Sequence, residues 1–185
     1  CVVTMTAATT VTATFTLNTF TLTVTPAGAG SGTVTSAPAG INCGVDCSEV
    51  YTSAQSVTLT AVAAGGSTFT GWSGEGCSGT GTCVVAMSQA RNVTATFVPN
   101  FALTVNVTQA AGQGSVTSAP AGITTCTMAG CTASYASGTS VTLTASLGTA
   151  ASVTWGATQC DSNPTALTCT LSMSAARTVD VTFNP

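Results

Sequence analysis

Nine cysteines are the only reactive side chains this sequence supplies in number. Beside them stand five carboxylates (Asp46, Glu49, Glu75, Asp161 and Asp180), two arginines (Arg91 and Arg177), and neither histidine nor lysine. Without His or Lys, the usual triads and Schiff-base chemistry have no participants. Two carboxylates suffice in principle for acid–base work, so their placement decides. The cysteines fall into close pairs: Cys43 with Cys47, Cys77 with Cys83, Cys126 with Cys131, and Cys160 with Cys169. Four local disulfides are expected from this grouping, because the spacing changes from pair to pair while the pairing persists. Closing a loop of about five residues contributes roughly 2 kcal/mol in the chain-entropy model. The rival reading is a four-cysteine zinc site, since Cys-x3-Cys lies within ligand spacing. Cys1 is left over, and is expected to be unpaired or to bond to another chain.

The elements that hold these pairs repeat along the chain. Val34–Ile41 and Val116–Ile123 both read VTSAPAGI, and SVTLTA occurs at Ser56–Ala61 and Ser140–Ala145. Cys83-VVAMSQARNVTAT-Phe97 matches Cys169-TLSMSAARTVDVT-Phe183, and both match Cys1-VVTMTAATTVTAT-Phe15. Such self-similarity governs the reading of everything else. It divides the chain into the C-terminal strands of a truncated repeat (1–17), one repeat over 20–98 and a second over 101–184. It also accounts for Cys1 as the equivalent of Cys83 and Cys169, rather than as a lipidated first residue. The chain opens without an initiator Met, which suggests a piece of something longer. The joints, Leu17-Asn18-Thr19 and Pro99-Asn100, are too short for free tumbling and favour a stiff rod.

Within a repeat, apolar and polar residues alternate, the mark of half-buried strands. Leu22 and Val24 face inward while Thr21, Thr23 and Thr25 face out; Val57 and Leu59, then Val93, Ala95 and Phe97, continue the pattern. Gly28–Gly32 and Gly112–Gly114 read as turns. Trp72 and Trp155, Tyr51 and Tyr135, and Phe97 and Phe183 are matched between repeats and are expected to anchor two small cores. The fold class is therefore all-β: tandem, disulfide-stapled, β-sandwich-like (or β-grasp-like) repeats of about 80 residues.

Composition narrows the function. Of 185 residues 44% are hydrophobic and only 4% charged, against about 25% charged in an ordinary globular protein. Forty threonines carry solubility and suit pleated surfaces. Two arginines cannot neutralise a useful number of phosphates, so nucleic acid is not an expected partner. No apolar run reaches the length of a membrane span. Across the repeats, Asp46 corresponds to Gly130, Glu49 to Ala133 and Asp180 to Thr94. No acid recurs, so the carboxylates read as scattered solvating charges, with a calcium site from Asp46 and Glu49 a weak alternative. The arginines do recur, each six residues before a final Phe, and are expected to serve a turn or a backbone carbonyl. Neither a catalytic residue nor a cofactor is expected. Asn92-Val-Thr94 and Asn106-Val-Thr108 are formal glycosylation sequons.

The combination Ala39-Gly-Ile-Asn-Cys43, Cys47, Tyr51, Val57-Thr-Leu-Thr60, Phe69-Thr-Gly-Trp72, Cys77, Cys83, Met87 and Val93-Thr-Ala-Thr-Phe97 resembles the divergent internalin-type B-repeat of bacterial surface proteins. In the second copy Phe69-Thr-Gly-Trp72 becomes Val153-Thr-Trp155-Gly, and the second cysteine loop is longer. The resemblance implies an exported, multi-repeat bacterial protein at the cell surface, and brings no catalytic residues.

Three roles fit these observations. The first is a structural stalk or filament, self-associating or stacking on neighbouring repeats, its threonine faces covered by O-linked sugars or other subunits. The second is an adhesin that binds glycan or protein through loops such as Gly74–Thr82. The third is ice binding through outward Thr-x-Thr ladders.

Overall fold

The computed structural model describes residues 1–109, 113–128, 130–157, 159–161 and 167–185; the expected turn glycine Gly112 lies outside them. Among the described residues there are fourteen strands and no helix. Residues 1–18 form no strand.

The first repeat is built from two sheets. One contains β1 (Thr19–Ala27), β4 (Ser48–Thr52), β6 (Ser67–Ser73) and the first half of β8 (Arg91–Thr108), in the order β4-β1-β8-β6. Here β1 and β8 run parallel, while β4 and β6 lie antiparallel on the outside. The other sheet is antiparallel, in the order β3 (Asn42–Cys43), β2 (Gly32–Ala37), β5 (Ser56–Ala63), β7 (Cys83–Ala86). Alternation places Leu22, Val24, Val93, Ala95 and Phe97 of the first sheet and Val34, Val57, Leu59 and Val85 of the second in one buried cluster. Tyr51 and Trp72 close that cluster.

The second repeat has the same plan. The second half of β8 pairs with β10 (Cys131–Ala136) and β14 (Arg177–Asn184), and β12 (Ser152–Trp155) pairs with β14. The facing sheet holds β9 (Ser115–Ala119), β11 (Ser140–Ser146) and β13 (Thr168–Ser172). Tyr135, Trp155 and Phe183 join Leu103, Val105, Leu143, Leu171 and Val181 in its core.

The expected boundary between the two repeats falls inside a strand. Pro99-Asn100 is the short joint between them, and proline brings no donor to a ladder. Here the Pro99 carbonyl accepts from Ser137 N at 2.8 Å, and Asn100 N donates to Gly66 O at 2.8 Å. Both groups are thus paired with turns of the two repeats, and β8 passes through unbroken. Phe97 and Leu103 lie an even number of residues apart, so both cores line one face of the same strand, turned by its own twist.

The second repeat's altered Trp motif also has a physical account. In β6, Phe69 pairs with Phe97 and Trp72 with Ala95, and a β-bulge between Phe69 and Gly71 absorbs the extra residue. In β12, Val153 pairs with Phe183 and Trp155 with Val181, without a bulge. One residue fewer therefore leaves the indole at the equivalent place on the sheet.

Glycine is required at equivalent positions of the two repeats by close approach of an aromatic ring. A Cβ at Gly32 would overlap the Phe97 ring, and one at Gly114 would overlap the Phe183 ring. Gly32→Ala should therefore destabilise the first repeat by about 1–3 kcal/mol, the usual cost of overpacking. Thermal unfolding followed by circular dichroism checks this; an unchanged midpoint would place the ring elsewhere.

Candidate functional site

The cysteines that sequence grouping paired lie at disulfide-bonding separation. Cα–Cα distances are 4.2 Å for Cys43–Cys47, 5.4 Å for Cys77–Cys83, 5.7 Å for Cys126–Cys131 and 5.4 Å for Cys160–Cys169. Their position in the fold explains their value. Cys43 ends β3 of one sheet, and Cys47 precedes β4 of the other, its carbonyl accepting from Val24 N of β1 at 2.8 Å. Cys77 follows β6, and Cys83 starts β7 of the facing sheet. The second repeat does likewise: Cys126 bridges to Val116 of β9 while Cys131 starts β10, and Cys160 follows β12 while Cys169 lies in β13. Every disulfide thus ties one sheet of a repeat to the other. Cys1 is exposed and free. Among the described residues no three of His, Cys, Asp and Glu gather as a metal site.

A second constellation escaped the sequence reading. Ser36 Oγ lies 2.8 Å from Tyr51 Oη and 2.8 Å from Pro38 O, and accepts from Ile41 N at 2.9 Å. Ser118 Oγ does the same with Tyr135 Oη (2.6 Å), Pro120 O (2.9 Å) and Ile123 N (2.9 Å). Hydroxyls of this kind bind a loop to a core aromatic and satisfy polar atoms that burial would otherwise strand. The signal was present, because both serines sit in the identical octapeptide.

The arginines meet the expectation of a carbonyl partner and exceed it. Arg91 Nε donates to Ala86 O at 3.3 Å, and Arg177 donates to Gln159 O at 2.8 Å. Each also pairs with an acid from the loop before the sheet-crossing cysteine strand: Arg91 with Glu75, and Arg177 with Asp161 at 2.8 Å. These two carboxylates are therefore not scattered solvating charges. A residue-by-residue alignment hides the match, because loops of different length deliver the acid to one place. Asp46 accepts from Ser48 N and Glu49 from Val50 N, so both are engaged locally.

Two acids of the second repeat are tuned by their partners. Asp161 is held below its ordinary value of 3.8 first by the Ser172 N–H and then by Arg177. Asp180 is held below it by Gln159 and then Asn106. A depressed carboxylate contributes stability that is present above its unfolded value and disappears as pH falls through the folded one. Hence the melting temperature should drop as pH is lowered from about 4 toward 2, and the Asp161→Asn/Asp180→Asn double variant should show a flatter profile. Identical profiles would remove these acids from the acid response.

A depression of about 420 Å³ beside Gln109, Ser115, Thr127, Met128 and Ser146 is lined, among the described residues, by no ionisable side chain. The outward faces of β1, β8 and β14 carry Thr21, Thr25, Thr108, Thr178 and Thr182, all exposed. The geometry that stands out is mechanical. In each repeat the first and last strands are parallel neighbours at the centre of a sheet, flanked by two others and stapled to a second sheet.

Residues 20–101, the first repeat together with the joint, match the family model described as the divergent InlB B-repeat domain. No curated protein matches the chain.

Proposed function

For a chain whose residues 20–101 carry a divergent InlB B-repeat domain, we propose the role of a structural segment in an extracellular array: a stalk or filament in which each repeat is welded to the next. One observation supports it above others. Strand β8 is the last strand of one repeat and the first of the following one, so the repeats have no hinge. Two disulfides per repeat that tie sheet to sheet fit an oxidising, extracellular or cell-surface setting. A bacterial cell surface is the setting this reading assigns. The array carries no catalytic activity, and its partners are other repeats of its own kind.

Residues 1–17 extend the same reading. Met5, Val11 and Phe15 are 71%, 60% and 91% exposed, whereas their repeat equivalents Met87, Val93 and Phe97 are at most 2% exposed. We assign this segment as the closing strands of another unit, which would bury those side chains. Negative-stain microscopy of native material is the test: linear fibres or strings of aligned beads are expected, and isolated compact particles would defeat the reading. Saturable binding on a glycan array would favour an adhesin instead.

A further inference from the structure

We infer that each repeat is a shear-loaded mechanical clamp, which resists tension through its parallel pair of first and last strands. The inference deepens the structural reading above and rests on it for biological purpose, but its geometry stands alone.

Tension along the chain enters a repeat through its first strand and leaves through its last. In the first repeat β1 pairs with β8 over six positions, Leu22↔Arg91 to Ala27↔Thr96. In the second, β8 pairs with β14 over six positions, Leu103↔Arg177 to Thr108↔Thr182. Because each pair is parallel, the pull toward the N-terminus and the pull toward the C-terminus act along neighbouring strands in opposite directions. The strands can part only by sliding. The evenly spaced bonds of a parallel ladder lie across that motion, so they must fail together rather than one after another.

The rest of the repeat shields this pair. β4 and β6 cover its flanks in the first repeat, and β10 and β12 in the second. Sliding would also drag Leu22, Val24, Val93, Ala95 and Phe97, all nearly inaccessible to water, out of one core. Side chains add cross-strand ties: Thr25 Oγ1 donates to Asn92 Oδ1 at 3.1 Å, and Asn106 Nδ2 donates to Asp180 Oδ1 at 2.8 Å. The unbroken β8 hands the load from one clamp to the next. None of the four disulfides joins a first strand to a last one, so none bypasses the clamp.

Single-molecule force spectroscopy on the full 185-residue chain tests this. One geometry uses the free Cys1 thiol and a C-terminal handle. The other uses azide-bearing residues at Ser31 and Ala64, which are exposed and lie at one end of the β2–β5 pair, where Ala64 N donates to Ser31 O at 2.9 Å. Pulling there peels an antiparallel pair bond by bond. Since forced rupture reports the unfolding rate, end-to-end rupture force should exceed peeling force at least about threefold at equal loading rate. Equal forces would overturn the clamp. Each repeat should also yield in one step. Reduction should lengthen that step by about 3 nm in the first repeat and about 4 nm in the second, the chain hidden by their disulfide loops. Release in several smaller steps would likewise overturn it. The microscopy above bears on the array and this measurement on the clamp, so one can fail without the other.

Discussion

Phe97→Ala should lower the stability of the first repeat by about 3–5 kcal/mol, the range for removing a buried aromatic side chain. Phe97 is among the largest fully buried side chains of the chain. Its ring meets Phe69 at a centroid distance of 5.2 Å and stands over Gly32. With an ordinary domain held by only 5–15 kcal/mol, that loss takes most of the margin. The damage should also spread. Because β8 belongs to both repeats, fraying its first half removes a neighbour from the second, as nearest-neighbour coupling in repeat arrays requires. In a Trp72→Phe background Trp155 is the sole indole, and urea titration of its fluorescence should show the second repeat weakened too, by less than the first. A Trp155 transition that does not move would mean that the two repeats unfold independently despite their common strand.

Reduction of the disulfides is the second large effect. Each closes a short loop, worth about 2 kcal/mol in the entropic account, and each repeat has two. Reduced protein should thus lose about 4 kcal/mol per repeat, a shift on the order of 2 M in urea midpoint. Zinc added to the reduced chain should not restore the midpoint; recovery at one metal per repeat would favour the four-cysteine zinc site over the staples. Non-reducing peptide mapping separates the same alternatives directly, with each local pair recovered as one linked species and Cys1 alone alkylated.

Much of this architecture is legible in the amino-acid order because period-2 alternation needs no tertiary knowledge. Leu22, Val24, Val57, Leu59, Val93, Ala95 and Phe97 are all buried where alternation puts them. Repetition of cysteine pairs with changing spacing likewise carries the disulfide pattern. What alternation cannot convey is which strands become neighbours. The parallel pairing of β1 with β8 joins residues some seventy positions apart, and no local signal marks it. The continuity of β8 across Pro99-Asn100 is non-local for a similar reason: it depends on Gly66 and Ser137, whose backbone groups pair with those of the joint. The arginine–acid pairs were hidden by loop length, since Glu75 precedes its cysteine and Asp161 follows its own.

The uninterrupted strand makes the joint a counter of parity. Between Phe97 and Leu103 there are six steps, an even number, and successive hydrophobic cores therefore occupy the same flank of the ribbon. Adding or deleting one residue there would send the next core to the opposite flank, because side chains alternate with period two. A second such change would bring it back. From Phe15 to Leu22 the count is seven, but residues 1–18 form no strand, so the rule governs the joint that β8 spans. An array of near-identical units could therefore be straight-sided or zigzag according to single-residue differences between its repeats, with no alteration inside any of them.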